Sequence, residues 1–133
     1  SAFRLAMMMN DVPVDDRFCI KYNNVKEFYA AVRALDELPE LFICANDFVA
    51  IDLLMALRDL GYEVPRDVMV AGFDDSAESR RSFPPLTTIH IHTQVMAFSA
   101  IQLLRTRIKE PSLDYRTVYT ETNLIYRDST AKD

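Results

Sequence analysis

Two short, uninterrupted apolar runs, Leu41-Phe42-Ile43-Cys44-Ala45 and Val68-Met69-Val70-Ala71, constrain this chain more than any other feature. Runs of that length are too short for helices, and continuous rather than alternating apolarity fits strands covered on both faces. Between them, Phe48 to Leu60 has the length and apolar content of a helix. Asn46 and Asp47 precede it as capping residues, and Gly61 follows it where a helix ends in a left-handed residue. A strand, a helix and a second strand in that order form a parallel pair with a right-handed crossover, so the fold class is α/β.

Other elements extend the same alternation. Phe3 to Met9 predicts a helix that stops before Asp11 and Pro13. Arg17 to Tyr22 has strand composition. Asn24 and Glu27 form a capping box ahead of Val25, Phe28, Tyr29, Val32 and Leu35 at helical spacing, and Pro39 ends that helix. Pro65 bars a helix before the second apolar run, and Gly72-Phe73-Asp74-Asp75 leaves it. Beyond Pro84-Pro85 the pattern changes. Leu86 to His92 is extended, Thr93 to Lys109 is an amphipathic helix with Ala97, Phe98, Ile101, Leu104 and Ile108 on one face, and Tyr115 to Tyr126 alternates as a final strand. Only two glycines occur, where average usage would supply about nine. Both should therefore mark backbone requirements, Gly61 closing a helix and Gly72 turning the chain toward Asp74.

Charge and cysteine usage exclude several functions. Fifteen Lys and Arg against 20 Asp and Glu leave a net charge of −5, the wrong sign for a surface that neutralises many phosphates, so any DNA contact is expected outside this chain. Cys19 and Cys44 lie inside apolar runs and are expected to be buried and reduced, in a cytoplasmic protein. Nothing has the length of a membrane span or the layout of a signal peptide. The chain starts at Ser1 rather than methionine and reads as a piece of a longer protein.

Open parallel sheets bind ligands at the carboxyl ends of their strands, where helix N-termini and loop backbone converge. Asn46-Asp47 and Asp74-Asp75 occupy two such ends. The first pair can serve as helix caps, as ligand contacts, or as both, with Asp47 capping and Asn46 facing a ligand. The second can be a solvated turn or a set of acceptors for sugar hydroxyls. As a metal pair for phosphoryl transfer Asp74-Asp75 lacks a phosphate-cradling glycine loop and a placed lysine. His90 and His92 share one face of an extended segment without a third ligand nearby. No serine sits in a nucleophile elbow. Catalytic residues, a metal and a cofactor are accordingly not expected. The helix from Phe48 to Leu60 is apolar nearly all round, which calls for a second copy of the chain or for burial within a larger domain.

Five segments occur in a familiar order: Ala45-Asn46-Asp47-Phe48-Val49-Ala50, Gly61-Tyr62-Glu63-Val64-Pro65-Arg66-Asp67-Val68, Ala71-Gly72-Phe73-Asp74-Asp75, Pro84-Pro85-Leu86-Thr87-Thr88-Ile89 and Tyr126-Arg127-Asp128-Ser129-Thr130. Together they resemble the C-terminal half of the effector-binding domain of LacI/GalR-type transcriptional regulators. The resemblance implies a periplasmic-binding-protein-like, three-layer αβα subdomain with a parallel sheet, incomplete here. Residues 1–91 would be that subdomain, 92–114 a crossover and a helix that packs on the neighbouring subdomain, and 115–133 a returning strand and tail. It further implies a sugar-like effector contacted by Asn46, Asp74 and Asp47, with Tyr22 and Asn23 lining the cleft. A homodimer would form through Ile51, Met55 and Phe83, and operator DNA would be bound only through a missing N-terminal headpiece. No membrane partner is implied. The alternative with the same fold is a periplasmic sugar-binding protein of an ABC transporter.

Overall fold

The computed structural model describes residues 2–132. Its helices are α1 (Ala2–Met9), α2 (Val25–Arg33), α3 (Asp47–Asp59) and α4 (Thr93–Lys109), and its strands β1 (Leu41–Ile43), β2 (Met69–Ala71), β3 (Thr88–Ile91) and β4 (Thr122–Ile125). Short 3-10 turns cover Asp16–Phe18 and Asp128–Thr130. β1 and β2 are parallel with Phe42 opposite Val70, as the two apolar runs predict. The chain leaving β2 then runs parallel to the β3 segment, with the Gly72 N–H donating to Thr87 O at 2.8 Å and the Asp74 N–H to Ile89 O at 3.0 Å. β4 pairs antiparallel with β3, Leu124 opposite Ile89. Two two-stranded sheets, β1-β2 and β3-β4, are thus joined through isolated bridges from Ala71 to Thr87 and from Asp74 to His90.

The core lies where α2 and α3 cover one face of β1 and β2. Phe28 and Val32 from α2 and Ala50, Leu53, Leu54 and Leu57 from α3 meet Phe42, Val68, Val70 and Leu86. Each such large side chain contributes about 1.5–3 kcal/mol on burial. α2 begins as the capping box predicts: Asn24 Oδ1 accepts the Glu27 N–H at 3.0 Å, while the Glu27 carboxylate reaches back one residue further than expected, to the Asn23 N–H at 2.9 Å. α3 ends at Gly61, whose φ of +86° is the left-handed conformation that glycine adopts without strain.

Several expectations are corrected. Arg17 to Tyr22 is no strand: Asp15 accepts the Arg17 N–H and its guanidinium, and these local bonds close a 3-10 turn that competes with extended backbone. Cys19 is exposed rather than buried, for the same reason. β1 is covered on one face only, since Ile43 is 59% exposed and Leu41 is also exposed; α1 buries none of its residues and so supplies no cover. Only Thr122–Ile125 of the expected final strand pairs, because β3 offers four partners. α4 has the expected limits, and its apolar face, including Phe98, Ile101, Leu104 and Ile108, is exposed.

Candidate functional site

Asn46 stands three residues past β1, and Asp74 three past β2. Because the strands are adjacent and in register, with the Cys44 N–H donating to Ala71 O at 2.9 Å and the Asp47 N–H to Phe73 O at 2.9 Å, the topology brings both residues to one carboxyl edge of the sheet. Asp74 is exposed and Asn46 half-buried.

Of the alternatives open for Asn46 and Asp47, the cap falls to Asn46 and not to Asp47. Asn46 is the cap, its Oδ1 accepting the Val49 N–H at 2.9 Å, and no bond among the described residues engages its amide nitrogen. Asp47 is fully buried. Its Oδ1 accepts the Thr88 hydroxyl at 2.6 Å and its Oδ2 the Ser76 N–H at 2.7 Å, so it ties the start of α3 to the loop after β2 and to β3. Gly72 makes this possible by its size rather than by a turn. A Cβ there would overlap Asp47 Oδ1 and come within 2.8 Å of Leu86 Cδ2.

The loop itself is strained. Asp74 has φ +111° and Asp75 φ +51°, conformations that cost a residue with a side chain about 1–3 kcal/mol each. Asp75 differs from its neighbour in every other respect. Its side chain is only 5% exposed and is held by Arg127 Nη2 at 2.5 Å, Arg80 Nη2 at 2.7 Å and His90 Nδ1 at 2.9 Å. Burial pushes this carboxyl up, but hydrogen bonds from Arg80, Arg127 and His90 and the charge of Arg127 outweigh it and hold the group well below the usual carboxylate range. Asp75 is thus engaged by two guanidinium groups and by the His90 ring.

Of the cleft-lining candidates, Tyr22 packs its ring on Phe28 at 4.8 Å between centroids, and burial pushes its hydroxyl pKa up, with the charges of Asp52 and Cys44 acting in the same direction. The Asn23 amide donates to Glu27 Oε2 at 3.0 Å. Ile51, Met55 and Phe83 come together around one hollow of about 170 Å³, with Arg58 at its rim and Phe83 89% exposed.

Residue-level reasoning missed what braces this edge. The Ser129 hydroxyl donates to Val70 O at 2.6 Å and accepts the Thr87 N–H at 2.8 Å, while Arg127 Nη1 donates to Leu86 O at 2.8 Å. These partners lie 59, 42 and 41 residues apart in sequence, beyond the reach of any periodicity. The available signal was a buried-strand neighbour, Asp75, in need of a cation.

Sheet order, crossover and carboxyl-edge polar residues define an α/β domain of the periplasmic-binding-protein-like type. The chain belongs to that family: residues 2–130 match the periplasmic binding protein-like domain. It is 43% identical over 94 residues to the HTH-type transcriptional regulator GalR of Lacticaseibacillus casei, an alignment covering 71% of this chain and 28% of that protein. Among solved structures, one described as a LacI-family transcriptional regulator from Sanguibacter keddieii superimposes with a TM-score of 0.85 at 27% identity, covering 98% of this chain and 50% of the other. The complex of the transcriptional regulator CelR with cellobiose gives 0.78 at 25% identity, covering 96% and 40%. These relatives are transcriptional regulators, not enzymes. The chain spans well under half the length of the curated relatives it matches. Among the described residues no helix is long and apolar enough to cross a membrane.

Proposed function

We propose that this chain is the effector-sensing and dimerisation region of a LacI/GalR-type transcriptional regulator, acting in the cytoplasm. The observation that carries the reading is the pair Asn46 and Asp74, presented side by side at the carboxyl edge of the parallel sheet by a cap and a strained turn. An amide with a free donor and an exposed carboxylate suit the vicinal hydroxyls of a sugar or similar polar molecule. The cellobiose complex of a structural relative supports that ligand class. Asp47 acts from beneath by holding the loop, and Tyr22 and Asn23 flank the cleft. The effector sits between this subdomain and a second one, against which the exposed apolar face of α4 packs. Residues 1–91, 92–114 and 115–133 then divide as subdomain, crossover with borrowed helix, and returning strand with tail. Ile51, Met55 and Phe83 form the contact with a second copy, and operator DNA is bound by a headpiece outside this chain. Relatives named as regulators favour this reading over a transport-associated binding protein.

The test uses the full-length protein and its operator, followed by fluorescence anisotropy with and without sugars, cellobiose included. Effector is expected to change operator affinity about 5–150-fold. Asp74→Ala should weaken that response while leaving the thermal melt in place. An effector response that survives Asp74→Ala unchanged would remove Asp74 from the site.

A further inference from the structure

We propose that Asp75 and Arg127 are positioning residues for the effector site, their ion pair tying the C-terminal tail to the strained turn so that the Asp74 carboxylate is held facing the ligand. This rests on the reading that Asp74 contacts effector. Asp74 and Asp75 are consecutive residues with positive φ, +111° and +51°, and a relaxation of either would swing the Asp74 side chain away from the sheet edge. Backbone attachments oppose this only in part: the Asp74 N–H reaches Ile89 O at 3.0 Å, but the Asp75 N–H makes a long bond to Thr88 Oγ1 at 3.3 Å. The Asp75 side chain supplies the remaining hold.

Its three partners are not equivalent. Arg80 is 58% exposed, and His90 is partly solvated. Both meet the buried Asp75 carboxylate from the solvent side, and among the described residues neither side chain is bonded to anything else that would fix it. Arg127 is 16% exposed and is fixed from both sides. Its Nη1 donates to Leu86 O at 2.8 Å and Ser79 Oγ at 3.2 Å while its Nη2 holds Asp75. Its own backbone N–H donates to Thr87 Oγ1 at 2.8 Å, and its carbonyl accepts the same hydroxyl at 3.0 Å. The guanidinium is therefore a rigid post, anchored to the β3 entry, with the turn attached to it. A lysine could keep the charge but could not span Asp75 and Leu86 O together.

The experiment compares full-length wild type with Arg127→Met, Arg127→Lys, Asp75→Asn and Asp74→Ala, by amide hydrogen exchange and by calorimetric titration with cellobiose. Arg127→Met and Asp75→Asn should speed exchange at residues 74–76 with no change in the peptide carrying Leu53 and Leu57 of α3, since the loss is local. Cellobiose affinity should fall about tenfold in Arg127→Met and less in Arg127→Lys, within the coupling expected of contacting residues. In the Asp74→Ala background, Arg127→Met should cause no further loss. Faster exchange throughout α3, or losses from Arg127→Met and Asp74→Ala that simply add, would overturn the positioning role. Wild type that responds to no sugar would overturn the effector reading instead, and exchange at residues 74–76 would still decide whether the clamp holds the turn.

Discussion

Gly72→Ala tests the packing beneath the site. Gly72 has no positive φ, so alanine meets no backbone penalty there and, with space available, would stabilise by about 0.4–1 kcal/mol through the unfolded chain. Space is what is missing. The new Cβ overlaps Asp47 Oδ1 and lies 2.8 Å from Leu86 Cδ2 and 3.2 Å from Asp47 Cα, and both neighbours are fully buried. Asp47 cannot swing aside without losing the Thr88 hydroxyl at 2.6 Å or the Ser76 N–H at 2.7 Å. Hydrogen bonds to a charged acceptor contribute about 1.5–3 kcal/mol each, and overpacking a core costs about 1–3 kcal/mol. Whichever route the protein takes, the loss should be about 1–3 kcal/mol.

Asp47→Ala should cost about 3–5 kcal/mol, because it leaves the Thr88 hydroxyl and the Ser76 N–H buried without their acceptor. It also vacates the volume that the Gly72→Ala methyl needs. The two losses should then fail to add, with a coupling of about 1.5–3 kcal/mol. Urea unfolding of the wild type, both single variants and the double variant, followed by circular dichroism, measures that coupling. Additivity within about 0.5 kcal/mol would refute the claim that Gly72 is required for the approach of Asp47.

Two further outcomes follow from the same geometry. Asp75 has a folded-state pKa depressed below its unfolded value near 3.9, so the stability it contributes is fully present above about pH 4 and is lost as pH falls toward the folded value; urea midpoints of Asp75→Asn should lie below wild type at pH 7 and converge with it toward pH 2, and parallel pH profiles for the two proteins would contradict the ion-pair account. Burial pushes the Cys44 thiol up to about 12, whereas Cys19 is exposed, so iodoacetamide at pH 8 should label Cys19 first in peptide mass spectra, and equal labelling rates would show that Cys44 is not enclosed.

What could be read from the residues alone follows the range of the interactions concerned. Asn24 and Asn46 cap and Gly61 closes α3 because each depends on neighbours within a few residues, while β1 and β2 pair because each is a short apolar run readable by itself. Arg17 to Tyr22 failed as a strand although its composition was right, since Asp15 satisfied the local backbone first. Leu41 and Ile43 are apolar, but apolarity records a preference for cover and not its presence. The placement of Asn46 and Asp74 at one edge was legible because each follows its strand at the same offset, whereas the burial of Asp47 was not. Only the close approach of Gly72 shows which side chain turns inward.

The unread part is instructive about mechanism. Asp75 meets Arg127 across 52 residues, and Ser129 meets Val70 across 59. Between those partners lie β3, α4 and β4, so the chain runs through all three and returns before the turn at Asp74 and Asp75 is braced. The carboxyl edge is therefore completed by the tail and not by the strands that carry Asn46 and Asp74. His90 on β3 and Arg127 after β4 are each bonded to the same Asp75 carboxylate, so the turn is tied to the segments on either side of α4. Under the proposed function, a shift of either segment would reach the turn that carries Asp74 through this one carboxylate, a contiguous connection of the kind that coupling between sites uses.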